Sequence, residues 1–324
     1  MPLSAKSLAL RTCTLAAVAA LSLGPRVAAT LLQRQSTNIS WFACPDHDKS
    51  QCAFFDVPRD YSNPTKGDTI SIFMRKVPAT VSNKNRLGTI IINPGGPGGS
   101  GSAFAALSGE EIRSLVDGRY DIIGFDPRAV NLTGPWTACF DVEAKPLVMQ
   151  YQQDFVGVPY PPSTLDNDRA VVNKLIALQD GHAAACVKNG NRKILESSGT
   201  AFVVQDMAKI VEALGEDGIN FWGYSYGTIL GATFAAMRPD LVRRMLLDGV
   251  SNSESYYNDV LQWGKDGIAE SNKTYNGFLS TCADAGPDLC AFAVPPSGST
   301  EKQTTETLRK RLTSIFTRLG RQPM

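Results

Sequence analysis

Gly223-Tyr224-Ser225-Tyr226-Gly227 constrains this chain more than any other stretch. The apolar run Ile219–Trp222 leads into it, and a small-residue segment, Thr228–Met237, follows. A strand, a one-residue turn and a helix are therefore expected, with Ser225 on the turn. Such a turn lifts a hydroxyl above the carboxyl end of a sheet, and glycines on both sides let helix and strand approach closely. A serine hydroxyl is a weak nucleophile until a base, usually histidine, takes its proton. The chain has two histidines, His47 and His182, and both precede Ser225.

The surrounding pattern agrees with a parallel sheet. Thr69–Val77, Thr89–Ile92, Tyr120–Phe125 and Met245–Leu247 read as strands. Between them, Glu110–Val116 reads as part of a helix, and Leu165–Val187 has helical apolar spacing. Val203, Met207, Ile210, Val211 and Leu214 fall on one helical face, with Gly215 as the stop. Strands alternating with helices predict an α/β fold with both sheet faces covered. The proline-bearing stretch through Pro162 reads as irregular. Beyond Ser253 the chain reads as helical and polar, with a basic helix over Glu306–Leu319.

The first 29 residues read as a secretory leader: Lys6 and Arg11, an apolar run from Leu15 to Leu23, then small residues at Val27-Ala28-Ala29. The apolar run is short for a membrane span, and no later segment has that length, so no membrane association is expected after cleavage. Removing the leader takes away Lys6, Arg11 and Arg26 and no acid, so the formal charge falls from +1 to −2. Such a balance gives no reason to expect a nucleic-acid partner. Six cysteines remain without Cys13: Cys44, Cys52, Cys139, Cys186, Cys282 and Cys290. Six cysteines can pair in 15 ways. The close pairs Cys44/Cys52 and Cys282/Cys290 suggest local loops, which would leave Cys139 with Cys186. Export favours disulfides over free thiols. No Cys/His spacing predicts a metal site, and no cofactor is expected. Asn38, Asn131 and Asn272 head glycosylation sequons, consistent with a secreted, extracellular glycoprotein.

A tetrahedral oxyanion at Ser225 needs two donors. One would be the N–H of Tyr226, and the other would come from a loop after an earlier strand. Asn93-Pro94-Gly95-Gly96-Pro97-Gly98-Gly99-Ser100-Gly101 suits that task, and it matches neither a phosphate loop nor a dinucleotide fingerprint.

Taken in order, Asn93–Gly98, Gly124-Phe125-Asp126-Pro127-Arg128, Trp222–Thr228 and Leu247-Asp248-Gly249 resemble the secreted tripeptidyl aminopeptidase-like α/β-hydrolases, relatives of proline iminopeptidases. The resemblance runs from about Trp41 to the end of the chain. It implies an exopeptidase acting on peptides with free N-termini, Ser225 as nucleophile, Gly96 and Tyr226 as the oxyanion hole, and a helical cap over the site. The expected organisation is a leader over 1–29, a hydrolase core over 30–253 with an insertion at about 131–200, and a partial cap over 254–324. Two departures stand out. The family has glycine where this chain has Ala129, and it carries its acid and histidine beyond the cap. The expectation is therefore of a C-terminally truncated chain, inactive by itself, with its last strands missing. The other readings are a catalytically dead binding protein on the same scaffold and an esterase-like hydrolase. Asp126 and Arg128 are expected to form a buried ion pair bracing their loop.

Overall fold

The computed structural model describes residues 39–321, apart from 48, 141, 143 and 158–164. The leader and the sequon at Asn38 lie outside the described residues. The chain forms two compact units, one through Val250 and one from Ser251.

The first unit is built on one mixed sheet. Its strands are β1 (Phe42–Ala43), β2 (Gln51–Pro58), β3 (Thr69–Val77), β4 (Thr89–Asn93), β5 (Asp121–Phe125), β6 (Ile219–Tyr224) and β7 (Val242–Asp248), in the order β1-β2-β3-β5-β4-β6-β7. The β5-β4-β6-β7 half is parallel, as alternating strands and helices predict. The β1-β2-β3 arm is antiparallel and joins the rest through an antiparallel β3–β5 pairing.

Helix α1 (Gly101–Leu115) covers one face, setting Ala105 and Ile112 on Val77, Ile92 and Ile122. The other face receives α5 (Thr200–Ala213) and α6 (Tyr226–Met237). There Val203, Met207, Ile210 and Phe234 close over Ile91, Ile123, Phe125 and Phe221. Each such large apolar side chain contributes about 1.5–3 kcal/mol when fully buried. The expected cover on both faces gives out at β7, where Arg243, Arg244, Leu246 and Asp248 are exposed because β7 is an edge strand.

Between β5 and α5 come α2 (Ala144–Val156), α3 (Leu165–Asn189) and α4 (Arg192–Glu196). Helix α2 falls in the stretch expected to be irregular. Pro146 is its third residue, so the proline sits in the first turn, where no N–H is required of it. It buries no residue. The structure pairs Cys44 with Cys52, Cys139 with Cys186 and Cys282 with Cys290.

The second unit consists of α7 (Ser253–Asn258), α8 (Val260–Ile268), α9 (Ser271–Leu289) and α10 (Thr305–Arg321). Asn252 and Asp259 cap the first two through their side chains. Helix α9 breaks at Gly286 (φ 72°), just before Pro287. Leu279, Cys282, Ala293 and Leu308 form a small core. Among the described residues, no helix is long and apolar enough to cross a membrane.

Candidate active site

Strand β6 ends at Tyr224 and α6 begins at Tyr226, so Ser225 alone makes the turn. Its backbone sits at φ 53°, ψ −122°, outside the wells open to a side-chain-bearing residue. Such strain costs on the order of 1–3 kcal/mol and persists only where the surroundings enforce it. Here the Ser225 N–H donates to the Asp248 carbonyl at the end of β7 (3.0 Å). The Ser225 carbonyl accepts from the Thr228 N–H (2.8 Å) and from the Thr228 hydroxyl (2.6 Å). Ser225 itself is exposed while Gly227 and Thr228 behind it are buried. The residue is thus presented to solvent at the N-terminus of α6, where the helix field favours negative charge.

The glycine loop after β4 lies directly on this turn. Asn93 is buried, and its Oδ1 accepts from the Gly95 N–H at 3.0 Å. Gly95 has φ 93°, and a β-carbon there would lie 2.9 Å from the Tyr226 nitrogen and 3.0 Å from the Ser225 β-carbon, with the Tyr224 carbonyl nearer still. On the other side, a β-carbon at Gly227 would meet the Asn93 carbonyl at 2.8 Å. Two motifs 130 positions apart therefore touch backbone to backbone. Gly96 (φ 117°) is the next residue along this loop. Of the residues named from sequence, Ser225 and Tyr226 adjoin the loop at Gly95, while the contacts of Gly96 are with Gly98 and Gly99 of its own loop. Asn93 joins these residues through its side chain, and Asn-Pro-Gly is the sequence signal for a side chain that bonds the backbone two residues on.

The far end of the loop is held by Asp126. Ser100 caps α1, accepting from the Ala103 N–H at 3.0 Å. The buried Asp126 carboxylate accepts from the Ser100 hydroxyl (2.6 Å), the Ser102 N–H (3.0 Å) and the Ser102 hydroxyl (2.9 Å). It also accepts from Asn131 Nδ2 (2.8 Å). The expected Asp126–Arg128 pair does not form. Asp126 is satisfied by neutral donors at the α1 N-terminus, and Arg128 turns toward α5. The Arg128 guanidinium is fully buried and bonds both carboxylate oxygens of Asp206 at 2.7 Å. Its remaining N–H groups go to the carbonyls of Pro58, Arg59 and Ser197. Asp206, 78 residues away, carried no local signal in the sequence.

Neither histidine lies on the elements that build the turn. His47 lies in the disulfide-closed loop between β1 and β2, and β2 is four strand spacings, roughly 19 Å, across the sheet from β6. His182 is on α3 and stacks on Phe140 at 5.4 Å. It also approaches Cys139 and Cys186, but the disulfide between them leaves no thiolate to bind a metal. Beneath the turn, Tyr224 stacks on Trp222 at 5.3 Å. Burial, and then the charges of Asp248 and Glu111, push its phenol up to about 12, so it stays neutral at ordinary pH. Asn131 sits against the α1 N-terminus, and Asn272 is exposed on α9.

A family model for the alpha/beta hydrolase fold matches residues 88–287. The tripeptidyl aminopeptidase of Streptomyces coelicolor is 35% identical over 206 residues, 62% of this chain and 35% of that protein. Serine protease Hip1 of Mycobacterium tuberculosis is 30% identical over 254 residues, 77% of this chain and 44% of that protein. The putative hydrolase YuaR of Escherichia coli is 27% identical over 238 residues, 72% and 42% of the two chains. The chain thus spans less than half the length of these curated relatives. The family match begins one residue before β4, covers more than half of the chain and takes in the glycine loop, the Asp126 turn and the Ser225 turn. On sequence and fold alike, this chain belongs to the α/β-hydrolase family.

Proposed function

We propose that the chain carries the nucleophile and oxyanion hole of a secreted serine hydrolase of the aminopeptidase type. Its substrates would be peptides with a free N-terminus, and it would release residues or short peptides through an acyl-enzyme on Ser225. The reading rests on one observation: Ser225, at φ 53°, has the Gly95 backbone packed against it and against the Tyr226 nitrogen. That arrangement puts a hydroxyl, a helix N-terminus and a glycine-lined backbone around one point, as acyl transfer requires. The names of the similar tripeptidyl aminopeptidase and serine protease favour a peptide amide over other acyl substrates. The leader, the disulfides and the sequon at Asn272 fit an extracellular glycoprotein.

Residues 1–324 hold no histidine after Ser225. Without a base, turnover by these residues alone should be lower by about 10⁴ to 10⁶. The test is active-site labelling with a serine-directed fluorophosphonate, applied to residues 1–324 and to any longer form of the protein that contains them. Little labelling of residues 1–324, and labelling at Ser225 of a form that also supplies a base, abolished by Ser225→Ala, is the expected result. Failure of Ser225 to label in every form of the protein refutes the reading. Tripeptidyl amides against short acyl esters then separate a peptidase from an esterase.

A further inference from the structure

The sequon Asn131-Leu132-Thr133 is woven into the support of the glycine loop. Asn131 Nδ2 has two hydrogens, and it donates to Asp126 Oδ2 at 2.8 Å and to the Ser100 hydroxyl at 3.2 Å. The Thr133 side chain is buried; its hydroxyl donates to the Asp126 carbonyl at 2.6 Å and accepts from the Phe73 N–H at 3.0 Å. Gly134 next to it exchanges both backbone bonds with Ser71, at 2.7 and 3.0 Å. The backbone at Asn131 has φ 46°, a conformation asparagine tolerates better than most residues. The Asn131 amide nitrogen and the Thr133 hydroxyl, the two side-chain groups that define the sequon, are both used in the fold. A glycan would form a bond from Nδ2 to the sugar and displace one of the two N–H hydrogens. At least one of the bonds to Asp126 and Ser100 would then be lost.

We propose that Asn131 is a positioning residue rather than a glycan acceptor. It latches the Asp126 turn to Ser100 and so fixes the end of the loop that carries Gly95 and Gly96. Its link to catalysis rests on the proposed serine-hydrolase function, but the latch itself does not. Asn272, exposed on α9, has none of these ties and takes the glycan instead.

Two measurements on the 324-residue chain test this without using activity, so failure of the latch and failure of the hydrolase reading remain separable. The first is site occupancy by mass spectrometry after secretion from a glycosylating host. Asn272 should be occupied and Asn131 bare; a glycan on Asn131 of the folded, secreted chain overturns the proposal. The second is amide hydrogen exchange in the Asn131→Ala and Asn131→Asp variants. The amides of Ser102 and Ala103, which are held by Asp126 and Ser100, should exchange roughly ten- to a hundredfold faster, with β6 amides unchanged. Asn131→Asp keeps the shape but turns a donor into a second carboxylate facing Asp126, so its effect should be the larger. Wild-type exchange in both variants, or an alanine effect at least as large as the aspartate one, shows that the amide contributes only bulk and refutes the latch. If Asn131→Ala does not fold, exchange in Asn131→Asp decides alone.

Discussion

Asp206→Ala should be among the most damaging single changes in the first unit. The Arg128 guanidinium has five N–H groups, and all five are used at zero side-chain exposure. Removing Asp206 strips the acceptor from two of them and also from the Tyr61 hydroxyl, which donates to Asp206 at 2.7 Å. A buried cation is then left uncompensated, which costs about 3–5 kcal/mol. The chain supplies its own control. Arg192 and Glu196 are also 2.7 Å apart, but their side chains are 88% and 57% exposed. Glu196→Ala should cost about 0.5 kcal/mol or less, because water screens such a pair. At equal distance, burial should separate the two effects by about an order of magnitude. Urea unfolding measures this, with exchange of β6 amides read alongside so that the first unit is the one followed. At about 1–3 kcal/mol per molar urea, Asp206→Ala should lower the midpoint by about 1 M or more. The double variant Arg128→Met/Asp206→Leu, which orphans no charge, should recover much of the loss. The reasoning fails if Asp206→Ala costs no more than Glu196→Ala, or if the double variant costs the sum of its singles.

Three other expectations concern the backbone and one phenol near the turn. Ala129 sits at φ 63°, so Ala129→Gly should stabilise by about 1 kcal/mol in the same assay. No gain would mean that the local backbone is not strained. Ser225→Gly should abolish labelling yet raise the thermal midpoint by a few degrees, since relief of strain outweighs the added chain entropy; a lower midpoint would count against a strained turn. The raised Tyr224 phenol predicts that stability falls as pH rises from about 10 toward 12, because the unfolded chain ionises first. Tyr224→Phe should remove a late step from the ultraviolet titration of the folded protein and leave the rest of the curve unchanged.

Much of this arrangement was legible in the sequence because it depends on periodicity and on glycine. The face of Val203, Met207, Ile210 and Val211 is buried on the sheet as its spacing implies. The apolar runs at β4, β5 and β6 became the central strands. Strand β2 is not legible in the sequence because Gln51–Pro58 alternates weakly and owes its place to pairing with β3 across an eight-residue register. Helix α2 was hidden by Pro146, which breaks a helix in its middle but not in its first turn. At the site, Ser225 and the glycine loop could be named, but their supports could not. Asp126 and Arg128 are two positions apart and of opposite charge, which invites pairing. Their true partners come from the α1 N-terminus and from α5, and only the tertiary fold brings those near.

The supports matter because the oxyanion donors proposed here are main-chain groups. Side-chain identity at Gly96 or Tyr226 then counts for less than where the backbone runs, and two substitutions separate these ideas. Tyr226→Phe removes a hydroxyl bonded to Thr200 Oγ1 at 2.7 Å and leaves the backbone in place. It should cost about 1 kcal/mol and leave labelling of Ser225 at the level of the unsubstituted protein. Gly95→Ala adds one methyl group, but at φ 93° and directed at the Tyr224 carbonyl and Tyr226 nitrogen. Backbone on both sides cannot rotate out of the way as a side chain would, so the loop must lift off the turn. Labelling should fall by at least the 10²- to 10³-fold associated with losing one oxyanion donor, even where the variant remains folded by circular dichroism. A folded Gly95→Ala protein that labels at the wild-type rate would show that the glycine loop is not part of the oxyanion hole, and the second donor would have to be sought elsewhere.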